Sequence, residues 1–387
     1  MDRSMTERRD VLVVGGGVIG LWIAFRTARA GATVTVVDPA PGRGASWTAA
    51  GMLAPVTEYS YGEDALLTLN LAAAAGYPAA VSDLTQAAGT EIGYRACGAI
   101  EVAWDSADLA GLRQLDARRA SLGLATRLLD RRDLRRLEPG LAPGLPGGVL
   151  AVDDHQVDPR RMTAALVRAL EASRVEVVEA TVTELVQTAG RVTGVATDRG
   201  RRVSAAAVVL AAGSASGRLL PGLEPAIQVP VRPVKGQTLR LRSREPVLER
   251  MVRGRVRGVP VYIVPRADGE VVVGASSEEA GFDDQPRTGA VHDLLRDATL
   301  LVPGLAETEW VEVSTGLRPG TPDNGPVVGW TAVEGLLVAT GHYRNGVLLA
   351  PLTASAVATL LGGGPMCAEL APFGPDRFVA RELVGNH

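Results

Sequence analysis

Gly15, Gly17 and Gly20 form a G-x-G-x-x-G run, and the next acidic residue after it is Asp38. That pattern, with an acid about 20 residues on, suits the holding of a dinucleotide. The first glycine would make a tight turn, the second would let backbone approach a pyrophosphate, and the third would let a helix pack on a strand. Free N–H groups at the helix start would face the phosphates, and the Asp38 carboxylate would accept from ribose hydroxyls. Other chemistries are poorly served. His155, His292, His342 and His387 include no pair at metal-ligand spacing, so no metal is expected. Cys97 and Cys367 sit in no CxxC, which leaves neither a disulfide framework nor a zinc site. Lys235 is the only lysine among 40 basic residues, and Pro233-Val234-Lys235-Gly236 reads as a turn into a strand rather than a Schiff-base site.

The elements that must position these residues follow from periodicity. Residues 9–38 give strand, glycine turn, helix, a second turn at Gly31 and a second strand ending on Asp38, one βαβ unit. Residues 65–88 read as a long helix and 91–104 as strands, whereas 105–150, charged and then rich in Pro and Gly, read as helices and loops away from the core. Asp158-Pro159 announces a helix running to about residue 172, followed by a strand at 175–178 and a hairpin region at 181–203. The apolar run 205–212 reads as a central parallel strand. From 229 the pattern turns to alternating strands at 237–241, 260–265 and 270–274, with a hairpin turn at Asp268-Gly269. Strand-turn-helix order returns at 338–340, Gly341 and a helix from 347. With no repeat and no long linker, two interleaved domains are expected.

Composition bounds the reading further. The 387 residues are 46% hydrophobic and 21% charged, enough for two ordinary globular domains. A net charge of −3 lacks the broad positive field of a nucleic-acid binder. Charged residues 1–10 before an apolar stretch imitate an export signal, but the patterned glycines break it. Residues 345–368 are uncharged and near the length of a membrane span, yet contain Pro351, so a buried C-terminal helix is expected. No membrane partner and a reducing cytoplasmic location are the corresponding expectations.

Beyond the fingerprint, the chain carries GASWTAAGMLAP at 44–55, VDPRRM at 157–162, VVLAAGSASG at 208–217, PVKGQ at 233–237, YIVPRADGEVVVGAS at 262–276, GLRPGTPDNGPVVG at 316–329 and GHYRNGVLLAP at 341–351. With GGGVIG at 15–20, these resemble the glycine oxidase branch, also called the thiamine-pathway branch, of the D-amino acid oxidase and sarcosine oxidase family. The resemblance spans almost the whole chain. It implies an α/β fold: a Rossmann-like FAD domain with a parallel sheet (1–85, 151–228 and 316–387), interleaved with a mostly antiparallel α+β substrate domain (86–150 and 229–315). Non-covalent FAD would be held by Gly15, Gly17, Val18, Ile19, Gly20 and Asp38, by Ser46, Thr48, Ala49, Ala50, Gly51 and Met52, by Val182 and Gly213, and by Gly341, His342, Arg344, Asn345, Gly346, Val347 and Leu348.

Arg318 resembles the arginine that grips the substrate carboxylate, a task suited to a planar fork that stays charged. Tyr262 resembles the tyrosine that supports the same carboxylate or closes the pocket, with packing against the sheet as the competing role, and Arg344 resembles a family arginine near flavin and substrate, with a structural salt bridge as its rival. The chain departs from better-known glycine oxidases near Pro260 and Ser277, where a histidine and a methionine are expected, and that weakens transfer of glycine specificity. The implied reaction is oxidative deamination of glycine, sarcosine or D-alanine, with molecular oxygen as second substrate and hydrogen peroxide as product, in a homo-oligomer. A dehydrogenase passing electrons to a quinone or partner, and a non-catalytic FAD-binding subunit, are the alternatives.

Overall fold

The computed structural model describes residues 9–378; residues 1–8 and 379–387, which include His387, the charged start of the export-like stretch and the outer ends of the expected FAD domain, lie outside it. Its first sheet runs, edge to edge, Val327–Trp330, Leu336–Thr340, Arg202–Leu210, Arg9–Val14, Val34–Val37 and Glu176–Val178. All neighbours are parallel except the first pair. The Val-rich runs show no alternation because both faces are covered. Helices Val18–Arg29, Asp64–Ala88, Pro159–Ala172 and Gly346–Leu361 bury one face, and the hairpin Val182–Thr188/Arg191–Thr197 helps to cover the other. The expected βαβ unit, central strand and late helix are all present.

Local chemistry accounts for the helix ends. Asp158 accepts from the N–H groups of Arg160 and Arg161, with Pro159 at the first helical position, a cap contributing about 1 kcal/mol. Asp64–Ala88 and Tyr343–Leu361 are long and apolar enough to cross a membrane by length and composition. In the fold they pack on each other, and the C-terminal one also packs on Val18–Arg29. Pro351 cannot donate to the carbonyl of Val347, and the buried hydroxyl of Tyr77 does so instead at 3.2 Å.

The second sheet runs Glu309–Gly320, Arg232–Arg242, Glu270–Gly274, Val259–Pro265, Met251–Val256, Ala99–Ala103, Gly147–Ala151 and Thr126–Asp130. It is antiparallel except where Met251–Val256 meets Ala99–Ala103. Helix Thr288–Leu301 packs on one face.

Two expectations fail here. Residues 105–150 do not all lie away from the core, because Gly147–Ala151 is buried along its whole length between two strands. Its glycines are cut-outs rather than loop markers: a Cβ on Gly147 would lie 2.6 Å from the Leu129 carbonyl oxygen, and one on Gly148 would lie 2.5 Å from that of Glu101. Lys235 is likewise not in a turn; it lies within strand Arg232–Arg242 and is fully buried.

Candidate active site

Gly15, Asp38, Gly213 and Gly341 all follow the carboxyl ends of parallel strands, the edge at which open α/β sheets bind ligands. Gly15 has φ +108°, and a Cβ there would lie 2.4 Å from the Ala211 carbonyl oxygen. On Gly20 it would lie 1.8 Å from the Gly15 carbonyl oxygen, so helix and strand touch as the motif requires. Gly17 leaves its missing Cβ 3.3 Å from Ser46 Oγ, and that hydroxyl accepts the Val18 N–H at 2.8 Å. The helix start expected to be free therefore has one N–H engaged by Ser46, which joins the glycine turn to residues 45–52. Asp38 accepts from the N–H groups of Gly16 and Ala40, each at 2.7 Å. Each carboxylate oxygen retains a lone pair for a ribose hydroxyl.

Ala45–Thr48 is a single helical turn carrying Ser46 and Thr48, and residues 49–52 leave it toward strand Met52–Leu53. Gly51 has φ +74° and no room for a Cβ, which would meet the Val157 carbonyl oxygen at 2.0 Å. Arg266, missed in the sequence, fastens this segment. It donates to the carbonyls of Ala50 and Val157 and to Gln156, and burial pulls its pKa down to about 10.

Val182 packs in the cluster that contains Val37 and Ala180, below the Asp38 end of its strand. The Gly213 carbonyl accepts from Thr340 Oγ1 at 3.0 Å. Gly341, at φ +76°, turns the chain through His342, Arg344 and Asn345 into the helix beginning at Gly346, with Val347 and Leu348 buried in its first turn. His342 Nε2 lies 3.0 Å from Thr353 Oγ1, and burial lowers its pKa to about 3, so the ring is neutral. Its Nδ1 is buried with no hydrogen-bond partner among the described residues. The glycine cut-outs, the helix N-terminus and the free lone pairs of Asp38 fit a dinucleotide.

Strand register brings the other candidates together. Arg318 pairs with Val234, Gly316 with Gly236, Ser314 with Thr238, Thr238 with Gly274 and Gly274 with Tyr262. Side chains alternate along a strand, so Arg318 and Tyr262 stand on the same face as Gly236, Gly274 and Gly316. Each glycine opens space. A Cβ on Gly236 would lie 2.2 Å from Arg318 Nη1, one on Gly274 2.4 Å from the Tyr262 hydroxyl, and one on Gly316 3.0 Å from Ala45 Cα. The last contact places this face against the 45–48 turn.

Arg318 Nη1 donates to the Ser276 carbonyl at 3.1 Å, and among the described residues no carboxylate lies within ion-pair distance of Arg318. Burial raises the Tyr262 pKa, against the charge of Arg318 and hydrogen bonds to Thr238 and Arg318. Pro260 shares this face two residues before Tyr262, and Ser277 follows the carbonyl that orients Arg318.

Arg344 joins the group through Glu58, whose Oε2 lies 3.9 Å from Arg344 Nε while its Oε1 accepts from Arg253 at 2.6 Å. Burial pushes the Glu58 carboxyl up, but the charges of Arg253, Arg344 and Arg318 outweigh it and hold the pKa below its ordinary value. Behind it, Asp154 accepts from Val56 N, Thr57 N and Thr57 Oγ1 at 3.0, 2.9 and 2.6 Å, and burial still raises its pKa to about 6. Glu58, Asp154 and Arg253 gave no sequence signal, being ordinary polar residues until the fold buries them.

A family model described as FAD dependent oxidoreductase, abbreviated DAO, matches residues 10–360. The bifunctional protein ThiO/ThiG of Synechocystis sp. is 36% identical over 379 residues, covering 97% of this chain and 55% of that protein. The chain thus spans about half the length of the bifunctional relatives it matches. The glycine oxidase of Geobacillus kaustophilus is 34% identical over 381 residues, covering 97% of this chain and 99% of that one. The crystal structure of glycine oxidase from Geobacillus kaustophilus superposes with a TM-score of 0.89 at 34% identity, covering 96% of this chain and 99% of that chain.

Proposed function

Because the chain belongs to the FAD-dependent oxidoreductase family, and its cofactor is therefore FAD, we propose that it oxidises glycine or another small amino acid at the C–N bond. Oxygen is the second substrate; the products are hydrogen peroxide and an imine that hydrolyses to the keto acid. Similarity to the glycine oxidases and to the ThiO/ThiG proteins supports this reading and extends it to thiamine thiazole biosynthesis. The observation that carries it is Arg318, a guanidinium without a carboxylate partner among the described residues, beside Tyr262 on the sheet face that meets the 45–48 turn.

On this reading Gly15, Gly17, Gly20 and Asp38, residues 45–52, Val182, Gly213 and residues 341–348 hold the cofactor, whereas Arg318 and Tyr262 hold the substrate carboxylate. Arg344, paired with Glu58, borders the pocket. FAD supplies a two-electron acceptor that oxygen restores. The chain's own contribution is position: the fork of Arg318 fixes the carboxylate, so the α-carbon takes one orientation, and well-held reactants gain up to about 7–11 kcal/mol. The amine lone pair drives loss of the α-hydrogen, so no side-chain base is required, and His342, neutral and bonded to Thr353, is not called on.

The same reading divides the chain into a cofactor unit (1–85, 151–228 and 316–387) and a substrate unit (86–150 and 229–315), with strand Glu309–Gly320 crossing between them. It also includes a homo-oligomer in the cytoplasm, where the free Cys97 and Cys367 would stay reduced. The test is to mix the yellow holoprotein without oxygen with glycine, sarcosine or D-alanine and follow the flavin absorbance. Bleaching, then recovery with peroxide when oxygen enters, is expected. Recovery only with a quinone would make it a dehydrogenase, and no bleaching by any amino acid would overturn the reading.

A further inference from the structure

The chain's single lysine is buried completely in strand Arg232–Arg242, on the face opposite Arg318. Lys235 Nζ donates to Asp283 Oδ2 at 3.2 Å and to the Gln285 carbonyl, with Glu278 Oε2 at 3.7 Å. All three partners belong to one segment, 276–287, which leaves the sheet after Glu270–Gly274 and is otherwise largely exposed. Gln237, also fully buried, reinforces the same anchorage. Its N–H donates to Ser276 Oγ at 2.9 Å, its Nε2 to Glu278 Oε1 at 2.7 Å, and its Oε1 accepts from Arg287 N at 2.9 Å. Arg287 closes the network on Asp283 at 2.6 Å, and Arg218 caps Phe282 at 3.3 Å from its ring centre. The first residue of this strap is Ser276, whose carbonyl accepts from Arg318 Nη1 at 3.1 Å.

We infer that Lys235, with Gln237, is a positioning residue for Arg318: it locks segment 276–287 from one face of the sheet so that the Ser276 carbonyl fixes the guanidinium on the other. The inference rests on Arg318 being the carboxylate clamp. One Nη1 hydrogen is spent on Ser276, so that carbonyl sets the plane in which the fork would meet a bidentate carboxylate. A small ammonium suits the spot because three acceptors converge on one buried nitrogen, whereas a guanidinium would need a flat, wider cavity.

The test uses the FAD-loaded protein and acetate, a carboxylate with no amine to oxidise, titrated against the visible absorbance of the flavin. Lys235→Met and the milder Asp283→Asn should each raise the acetate Kd, and the KM for glycine with it, by about tenfold or more, with kcat changed less than about threefold. Asp83→Asn, which removes the remote Arg26 ion pair, should lower thermal stability without moving the Kd. Should Lys235→Met fail to fold, Asp283→Asn, on a partly exposed acid, still decides. Acetate binding equal to that of the unchanged protein in Asp283→Asn overturns the inference while leaving the clamp intact. Failure of the unchanged protein to bind acetate overturns both.

Discussion

Gly236→Ala separates the fold from the clamp. A Cβ at this position would sit 2.2 Å from Arg318 Nη1 and 2.4 Å from both Cζ and Nη2. Comfortable contact between such atoms is about 3.5–4.0 Å, so the guanidinium must retreat by more than about 1 Å. The three nearest atoms all belong to the far end of one flexible side chain, which can move aside for the methyl group. The residue has no left-handed φ, so alanine suits the strand and gains up to about 1 kcal/mol of backbone entropy. Stability should be unchanged or slightly raised. The clamp should fail, because a misplacement of about 1 Å costs about 10²-fold, equivalent to about 2.7 kcal/mol of transition-state stabilisation. The assay is kcat/KM for glycine by peroxide release, beside thermal unfolding of the holoprotein and its FAD content. A variant of wild-type stability whose kcat/KM stays within about threefold of the parent would refute the clamp geometry.

Gly20→Ala should act on the cofactor instead: its Cβ would lie 1.8 Å from a backbone oxygen that cannot yield, so the purified protein is expected colourless or insoluble, and full FAD occupancy by absorbance ratio would count against the cradle. Asp154 should give stability a pH signature. Its folded pKa, raised to about 6 by burial, exceeds the unfolded value of 3.8, so its contribution is full below pH 4 and is lost as pH rises toward 6, a change on the order of 2–3 kcal/mol. Urea unfolding of wild type and Asp154→Asn should show a difference that shrinks from pH 4 to 6.5 and then levels; a growing difference reverses the sign of the argument. His342, held neutral by burial with a pKa near 3, should place no break in kcat/KM between pH 5 and 7.5. A break in that range that disappears in His342→Gln would assign the imidazole a titrating role.

The unit proposed to cradle the cofactor was legible as structure because it is local: Gly15 to Asp38 fit in one strand-turn-helix-strand, and each residue type answers a demand made within that unit. The proposed clamp is not local. Arg318 and Tyr262 share a face only because Val234 opposes Arg318, Thr238 opposes Gly274 and Gly274 opposes Tyr262, and register across four strands is not written in any one of them. The glycines misled for a related reason. In sequence, Gly236 reads as a turn and Gly147-Gly148 as a loop, whereas each is a cut-out in a packed sheet that shows only when the neighbour is known. Lys235 followed Gly236 into the same misreading. Glu58 and Asp154 left no trace, since burial rather than residue type sets their behaviour.

The charges around the clamp argue for anion binding over acid–base work. Three guanidiniums, Arg253, Arg318 and Arg344, act on the single carboxylate of Glu58 strongly enough to outweigh its burial. Glu58 satisfies Arg253 at 2.6 Å and reaches Arg344 only at 3.9 Å, and among the described residues Arg318 has no carboxylate within ion-pair distance. A half-buried cation in that condition is only partly compensated by solvent. An incoming monocarboxylate would complete the pairing without displacing a protein acid, so binding need not break an existing ion pair. If Arg318 is the carboxylate clamp, a substrate lacking the carboxylate would leave the deficit in place, and amino acids should then be selected over simple amines by charge as well as by shape.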